Sequence, residues 1–305
     1  SRTPTIWTWL DVAGKEDLVG ALFVAFNPRL ARYNADTGFQ LGAVGEASWQ
    51  SPRRERGRKR KEFAPYQRET FQEHVNRMLR VYDYPFYDWE EDRQRLALKE
   101  ELVYAARRLE ERHGWAQGTL DRLARVVIVL HDLGKLDKRW QEWAHFWQKE
   151  VGRLRGEDLA IPPDYMAAHT DYDQRNEGEE ALNRKLSSMR PNHAVESAKA
   201  ALDCIWSQMS DEALTRAALT AIARHHSAGA RGDYGAFSAH AGAQAALNQV
   251  FDDVDAAQAK WAFPEGTMRQ NLMRPQRQGE LVVYLLLVRM LRLADQRSQQ
   301  LSRWE

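Results

Sequence analysis

From about Tyr66 to the C-terminus, apolar positions recur every three or four residues, the spacing that turns one stripe of a helix toward a core. Thr70 stands three residues before Glu73, the spacing of a capping box, and so opens a helix that carries His74. The stretch EDRQRLALKEELVYAARRLEERHG keeps the same period and meets a stop at Gly114. Ser210 is placed to cap DEALTRAALTAIARHH, with Asp211 and Glu212 suited to its first turn. ELVVYLLLVRMLRLADQRSQQL reads as a long, mostly buried helix that becomes polar at Asp295. The run VVIVL at 126–130 has strand propensity taken alone. Its helical neighbours and the length from Thr119 to Leu133 make it a buried helix. Residues 152 to about 192 carry Pro162, Pro163 and an acidic stretch, and read as loop. The fold class is therefore all-α, a compact helical bundle over 66–305 preceded by a small mixed segment.

That preceding segment, 1–50, combines Trp7 and Trp9 with the short run ALFVAF and the turn-rich YNADTGFQLG. Asn34, Asp36 and Gly38 tolerate turn dihedrals, so short strands around a turn are expected. Residues 51–65 have the composition of a solvated linker, with cations at Arg53, Arg54, Arg56, Arg58, Lys59, Arg60 and Lys61. The other reading of that run is an arm that touches nucleic-acid phosphate and adds salt-dependent affinity.

Net charge is only +1, so any attraction to nucleic acid must be local. The single cysteine, Cys204, excludes a disulfide framework and a thiolate zinc site, and suits a reducing cytoplasm. The longest apolar stretch, Leu281 to Val288, is far short of the roughly 20 residues of a bilayer span, so no membrane partner is expected. The chain opens at Ser1 without an initiator Met and reads as a piece of a longer protein. It holds no GxxxxGK[ST] phosphate loop and is expected to bind no ATP of its own.

The run that ends in VVIVLHDLGKLDKRW drives apolar side chains straight into His131, Asp132 and Lys135. Burying such groups unpaired costs several kcal/mol, so they need a partner. His74, His193, His225 and His226 also fall on helices or at helix ends beside apolar stripes, and Asp295 sits where the last long helix turns polar. A divalent metal centre is the simplest partner for five imidazoles and two carboxylates. Nitrogen with carboxylate oxygen suits Mn, Fe, Co, Ni or Zn, and the absence of thiolate disfavours a structural zinc. Neighbours on a helix point about 100° apart, so His131 and Asp132 could take cis positions on one ion, or Asp132 could bridge two. Seven ligands exceed what one ion needs, which points to two ions. A two-metal site orients a phosphodiester, activates water near neutral pH and stabilises the leaving oxygen. Any one of these histidines alone would more often be an ordinary core or surface residue; their recurrence changes the weighing.

HDLGK resembles the signature of the HD superfamily of metal-dependent phosphohydrolases. The ordered set EHVNRML, LHDLGKLDKRWQEW, NHAVESA, ARHHSA and LADQRS is similar to the HD nuclease domain of the CRISPR-associated helicase–nuclease of type I interference systems, over roughly 66 to 300. The resemblance implies ligands at His74, His131, Asp132, His193, His225, His226 and Asp295. One ion would be held by His74, His131, Asp132 and Asp295, and the other by Asp132, His193, His225 and His226. It assigns Lys135 to substrate phosphate, and with Asp132 to the catalytic set. It also implies single-stranded DNA as substrate, and as partners a helicase domain of the same parent and an RNA-guided surveillance complex. His169, in AAHTDYD, competes with His193 for the third histidine position. Ser197 follows His193 at i+4, as in the family motif, which favours His193 and leaves His169 as a lid or substrate residue. The HD domain usually precedes the helicase, whereas here the 1–50 segment precedes it and looks like a helicase tail.

Two rival functions stand beside this one: an HD phosphohydrolase acting on nucleotides or cyclic dinucleotides, and a metal-stabilised docking module without activity. Trp140, Trp143 and Trp147 share one helical face, a stripe that is more often core than a base-stacking platform. Gly134 permits close backbone approach beside the motif. His113, His145 and His240 carry no assignment.

Overall fold

A computed structural model describes residues 31–34, 38–41, 65–88, 92–250, 256–274 and 276–301. The chain divides into two units, Ser1–Phe63 and Ala64–Glu305. In the first, strands β1 (Ala31–Asn34) and β2 (Gly38–Leu41) pair antiparallel with Asn34 opposite Gly38, so short paired strands are present as expected. The cationic run at 53–61 lies outside the described residues.

The second unit is helical. Strand β3 (Glu69–Thr70) leads into α1 (Phe71–Asp83); β4 (Phe86–Asp88) and β5 (Arg93–Arg95) form a hairpin before α2 (Leu98–His113), and α3 (Thr119–Leu130) follows. After a 3₁₀ turn at Leu133–Leu136 come α4 (Lys138–Arg155), β6 (Ala167–His169), α5 (Glu177–Leu186), α6 (Ala194–Met209) and α7 (Glu212–Arg224). Then β7 (Asp233–Tyr234), β8 (Phe237–Ser238), α8 (Ala243–Asn248), β9 (Ala262–Phe263), β10 (Gly266–Thr267) and α9 (Gln278–Leu301) complete it. β7 pairs with β10, β8 with β9 and β3 with β6, all antiparallel. No described helix is long and apolar enough to cross a membrane.

The apolar run of the sequence is the central helix. α3 touches α1, α2, α6, α7 and α9, and Val126, Val127, Ile128, Val129 and Leu130 are all fully buried. Its last five residues are apolar on every side and so lie inside the other helices, while Asp121, Arg122 and Arg125 give its first half a polar face. The expected capping box opens α1: the Thr70 hydroxyl accepts the Glu73 N–H at 3.1 Å and the Glu73 carboxylate accepts the Thr70 N–H at 2.7 Å. Gly114 ends α2 at φ +70°, a left-handed position that glycine takes without strain. Trp140 and Trp147 are buried in two small satellite cores with Trp143 between them, so the tryptophan stripe is structural.

Three expectations need correction. The stretch EDRQRLALKEELVYAARRLEERHG is not helical from its start, because Arg93–Arg95 pair with β4 as β5 and α2 begins only at Leu98. Ser210 does not cap α7, because it closes α6 in a left-handed conformation; the cap passes to Asp211, whose carboxylate accepts the Leu214 N–H at 2.9 Å. The 152–192 stretch is not loop throughout, since it contains β6 and α5. Amide side chains of α4 hold it in place. Gln141 donates to the carbonyls of Lys135 and Ala167 and accepts the Ala167 N–H, while Gln148 exchanges hydrogen bonds with Asp171. Such buried amides satisfy backbone that apolar patterning does not report on.

Candidate metal centre

The central helix ends where the chemistry begins. His131 and His225 occupy the same local position, the C-cap of α3 and of α7, each at φ −62° and ψ −29°. The carbonyls of a last helical turn lack a helical N–H partner. His131 Nδ1 donates to the Ile128 carbonyl at 2.7 Å, and His225 Nδ1 to the Ile222 carbonyl at 2.6 Å. A proton fixed on Nδ1 leaves the Nε2 lone pair directed off the helix end, as a metal ligand requires. Arg292 of α9 donates to the carbonyls of Arg224 and His225 and holds the end of α7 in register. His193 is the N-cap residue of α6. The Ser197 hydroxyl donates to the His193 carbonyl and accepts the Gly134 N–H, both at 2.7 Å, so the pairing read at i+4 fastens α6 to the His-Asp turn.

Asp132 lies at the middle with its oxygens facing two different sets. Its Oδ2 is 3.1 Å from His131 Nε2, 3.5 Å from His74 Nε2 and 2.8 Å from Lys135 Nζ. Its Oδ1 is 3.4 Å from His193 Nε2 and 3.8 Å from His225 Nε2. His74 Nε2 also lies 3.4 Å from His131 Nε2 and 3.8 Å from Asp295 Oδ1. His226 joins the second set, 2.9 Å from His193 between their Nε2 atoms. All seven residues proposed from the sequence thus meet in one place, and Lys135 stands with them.

The donor set fits divalent ions. Asp132, His193, His225 and His226 present ligand atoms close enough to share one ion, and so do His74, His131 and Asp132. Co-ligands on one ion with bonds of about 2.0–2.2 Å stand roughly 3.0–3.5 Å apart, which most of these separations match. Asp132 Oδ1 and His225 Nε2 are buried and have no hydrogen-bond partner. Leaving both unsatisfied costs on the order of 1–3 kcal/mol each, and a cation between them removes that cost. Asp132 is the residue able to serve both sets at once.

Glu69 and His169 also reach this region, and the first carried no signal in the sequence reading. Glu69 is buried, and its Oε1 accepts Nδ1 protons from His74 at 2.8 Å and from His169 at 2.5 Å. Strand pairing sets Glu69 opposite His169, so His169 faces the His74 side, while His193 belongs to the other set. A period-two signal cannot be seen in a strand of two residues.

Burial pushes the His225 imidazole down to about 3, with His226 and His131 adding repulsion. Burial also lowers His226, to about 4, and His193 well below its usual range, although Asp132 opposes both shifts. Burial would lower His74 as well, but Glu69 and the carboxylates of Asp132 and Asp295 outweigh it and raise this group. Asp132 is held well below the usual carboxylate range, because His131 and Lys135 overcome the cost of burying it. His193, His225 and His226 therefore stand neutral at pH 7, the form that ligates metal. A folded pKa below the unfolded value means that the unfolded chain binds more protons between the two. Stability from these three groups is full above about 6.5 and is lost as pH falls toward 4 and 3. His74 has the opposite sign and is outnumbered. Thermal melting of metal-free protein should thus drop from about pH 7 to about pH 4.5; a melting temperature that is flat or rises on acidification would contradict this arrangement.

A family model described as Cas3, HD domain, matches residues 81–295. The chain belongs to the Cas3 HD-domain family. The match covers His131, Asp132, Lys135, His193, His225, His226 and Asp295, while His74 lies upstream of its start and joins the centre through the packing of α1. No curated protein and no solved structure matches the chain. Membership in the Cas3 HD family makes this domain a hydrolase of nuclease type in a CRISPR setting. The helical bundle and the His/Asp clusters at its centre agree with that.

Proposed function

We propose that this domain hydrolyses phosphodiesters in single-stranded DNA during type I CRISPR interference, using two divalent transition ions such as Mn, Fe, Co or Ni. The observation that carries the reading is Asp132, whose two oxygens face two separate histidine sets. His74, His131, Asp132 and Asp295 would hold one ion, and Asp132, His193, His225 and His226 the other. Ions held there would supply Lewis-acid charge to a phosphodiester and make water a competent nucleophile near neutral pH. Lys135, buried with Nζ 2.8 Å from Asp132 Oδ2 and 5.7 Å from the Trp140 ring centroid, adds a fixed cation beside the centre. It both balances Asp132 and offers charge to a phosphate oxygen. His74, His131 and His225 are buried, whereas His226 is exposed and the Asp295 side chain is 25% exposed. A flexible strand can reach groups this far buried more readily than a stiff duplex can. The reading keeps 66–305 as the HD domain, 51–65 as a basic linker and 1–50 as a helicase-derived tail, with a helicase domain and an RNA-guided surveillance complex as partners.

The test is a labelled single strand, a matching duplex and a panel of nucleotides, each incubated with Mn²⁺, Co²⁺ or Ni²⁺ and without ATP. The single strand should be cut and the duplex spared. Lys135→Ala should slow cutting by about 10²–10³-fold, the scale of one lost charge-stabilising group. Fast hydrolysis of nucleotides beside an intact strand would replace this reading with a nucleotide phosphohydrolase. Inertness of metal-loaded protein toward all three would leave a docking module.

A further inference from the structure

His131 and His225 take their orienting acceptor from backbone at a helix C-terminus. His74 has no such source. It lies in the first turn of α1, where carbonyls are engaged by the helix itself, so its acceptor must come from a side chain. Glu69 is that side chain. Its side chain is 5% exposed; Oε1 takes the Nδ1 protons of His74 and His169, and Oε2 accepts Arg77 Nη1 at 2.7 Å. The ring of His169 meets that of His74 edge-on, with centroids 4.6 Å apart at 68°.

We propose that Glu69 is the positioning residue of the His74 half of the centre, locking His74 with its proton on Nδ1 and its bare Nε2 turned toward Asp132, while β6 delivers His169 to the same carboxylate oxygen as a second donor. The consequence for metal binding rests on the function proposed above; the tautomer does not. Glu69, His74 and His169 could also be taken as a third ion site, since their ligand atoms cluster. The distances speak against it. Separations of 2.8 and 2.5 Å to one oxygen are hydrogen-bond lengths, shorter than the roughly 3.0–3.5 Å expected between co-ligands of one ion. The Arg77 guanidinium on Oε2 already supplies the cation that the buried carboxylate needs.

The experiment uses the full chain with ¹⁵N-labelled histidine, free of metal and at alkaline pH, where the rings have lost their second proton. Long-range ¹⁵N–¹H spectra should show the proton of His74 on Nδ1 in the wild type. In Glu69→Ala it should redistribute toward Nε2, while His131 and His225 keep theirs on Nδ1, a contrast that general damage to the fold would not produce. Glu69→Gln keeps the shape but can turn an amide N–H toward His74. It should show the same change in part, and it carries the test if the alanine variant does not fold. His169→Ala should leave the His74 proton in place. Titration with Co²⁺ should then show about 10–100-fold weaker binding of one ion in Glu69→Ala and little change in the other. A His74 tautomer unchanged in folded Glu69→Ala overturns the proposal, as does loss of a third ion, which would make Glu69 a ligand. A wild type with the fixed tautomer but no ion uptake upholds the positioning role and removes the metal-centre reading instead.

Discussion

Replacing Asp132 by alanine is expected to abolish binding of both proposed ions and to lower phosphodiester hydrolysis by about 10³-fold or more, at or beyond the upper end of what one lost electrostatic group costs. The expectation follows from a single carboxylate whose Oδ2 faces His74 and His131 and whose Oδ1 faces His193 and His225. Removing any one histidine leaves its set with other donors, whereas removing Asp132 takes a donor from both. The same change leaves Lys135 buried beside no carboxylate oxygen of its own, and stranding one member of a buried pair costs about 3–5 kcal/mol. Folding and metal loss must therefore be read separately. Asp132→Asn keeps the volume and one acceptor oxygen but removes the charge. Elemental analysis and thermal melting of both variants settle the matter: two ions per chain persisting in folded Asp132→Asn would show that Asp132 does not link the two sets.

Much of this centre was legible before any coordinates. The seven ligand candidates could be read because each lies on a helix or at a helix end beside an apolar stripe, where a titratable group demands a partner, and because their order resembles the HD motifs. The capping box at Thr70 and the stop at Gly114 were legible for the same local reason, since capping depends on a few adjacent residues. What was not legible were supporting contacts whose cause lies far along the chain. Glu69 joins His169 across 100 residues, Gln141 reaches Ala167 from a different element, and Arg292 closes α7 from α9. Ser210 misled because serine suits a cap well in isolation, while here it had already been spent on ending the preceding helix.

Gly134→Ala should be nearly as damaging as loss of a ligand, although glycine touches no metal. A Cβ built on Gly134 would stand 2.2 Å from the His193 carbonyl oxygen and 2.8 Å from its carbonyl carbon. Both are backbone atoms of the residue that starts α6, so no side-chain rotation relieves the clash. Either the 3₁₀ turn bearing Lys135 or the first turn of α6 must move, and the Gly134 N–H to Ser197 bond is lost with it. Overpacking usually costs about 1–3 kcal/mol, and this rigid contact belongs at the upper end. For a domain of this size that is a fall of roughly 6–12 °C in melting temperature, at about 2–4 °C per kcal/mol. Binding should weaken selectively in the half that holds His193, leaving the ion between His74 and His131 closer to normal. Gly229→Ala is the control: the atom nearest its Cβ is the Ser227 hydroxyl at 3.8 Å, so it should leave both melting and metal content unchanged. If Gly134→Ala melts like the wild type and keeps both ions, α6 is not held at this distance, and the placement of His193 against Asp132 has to be redrawn.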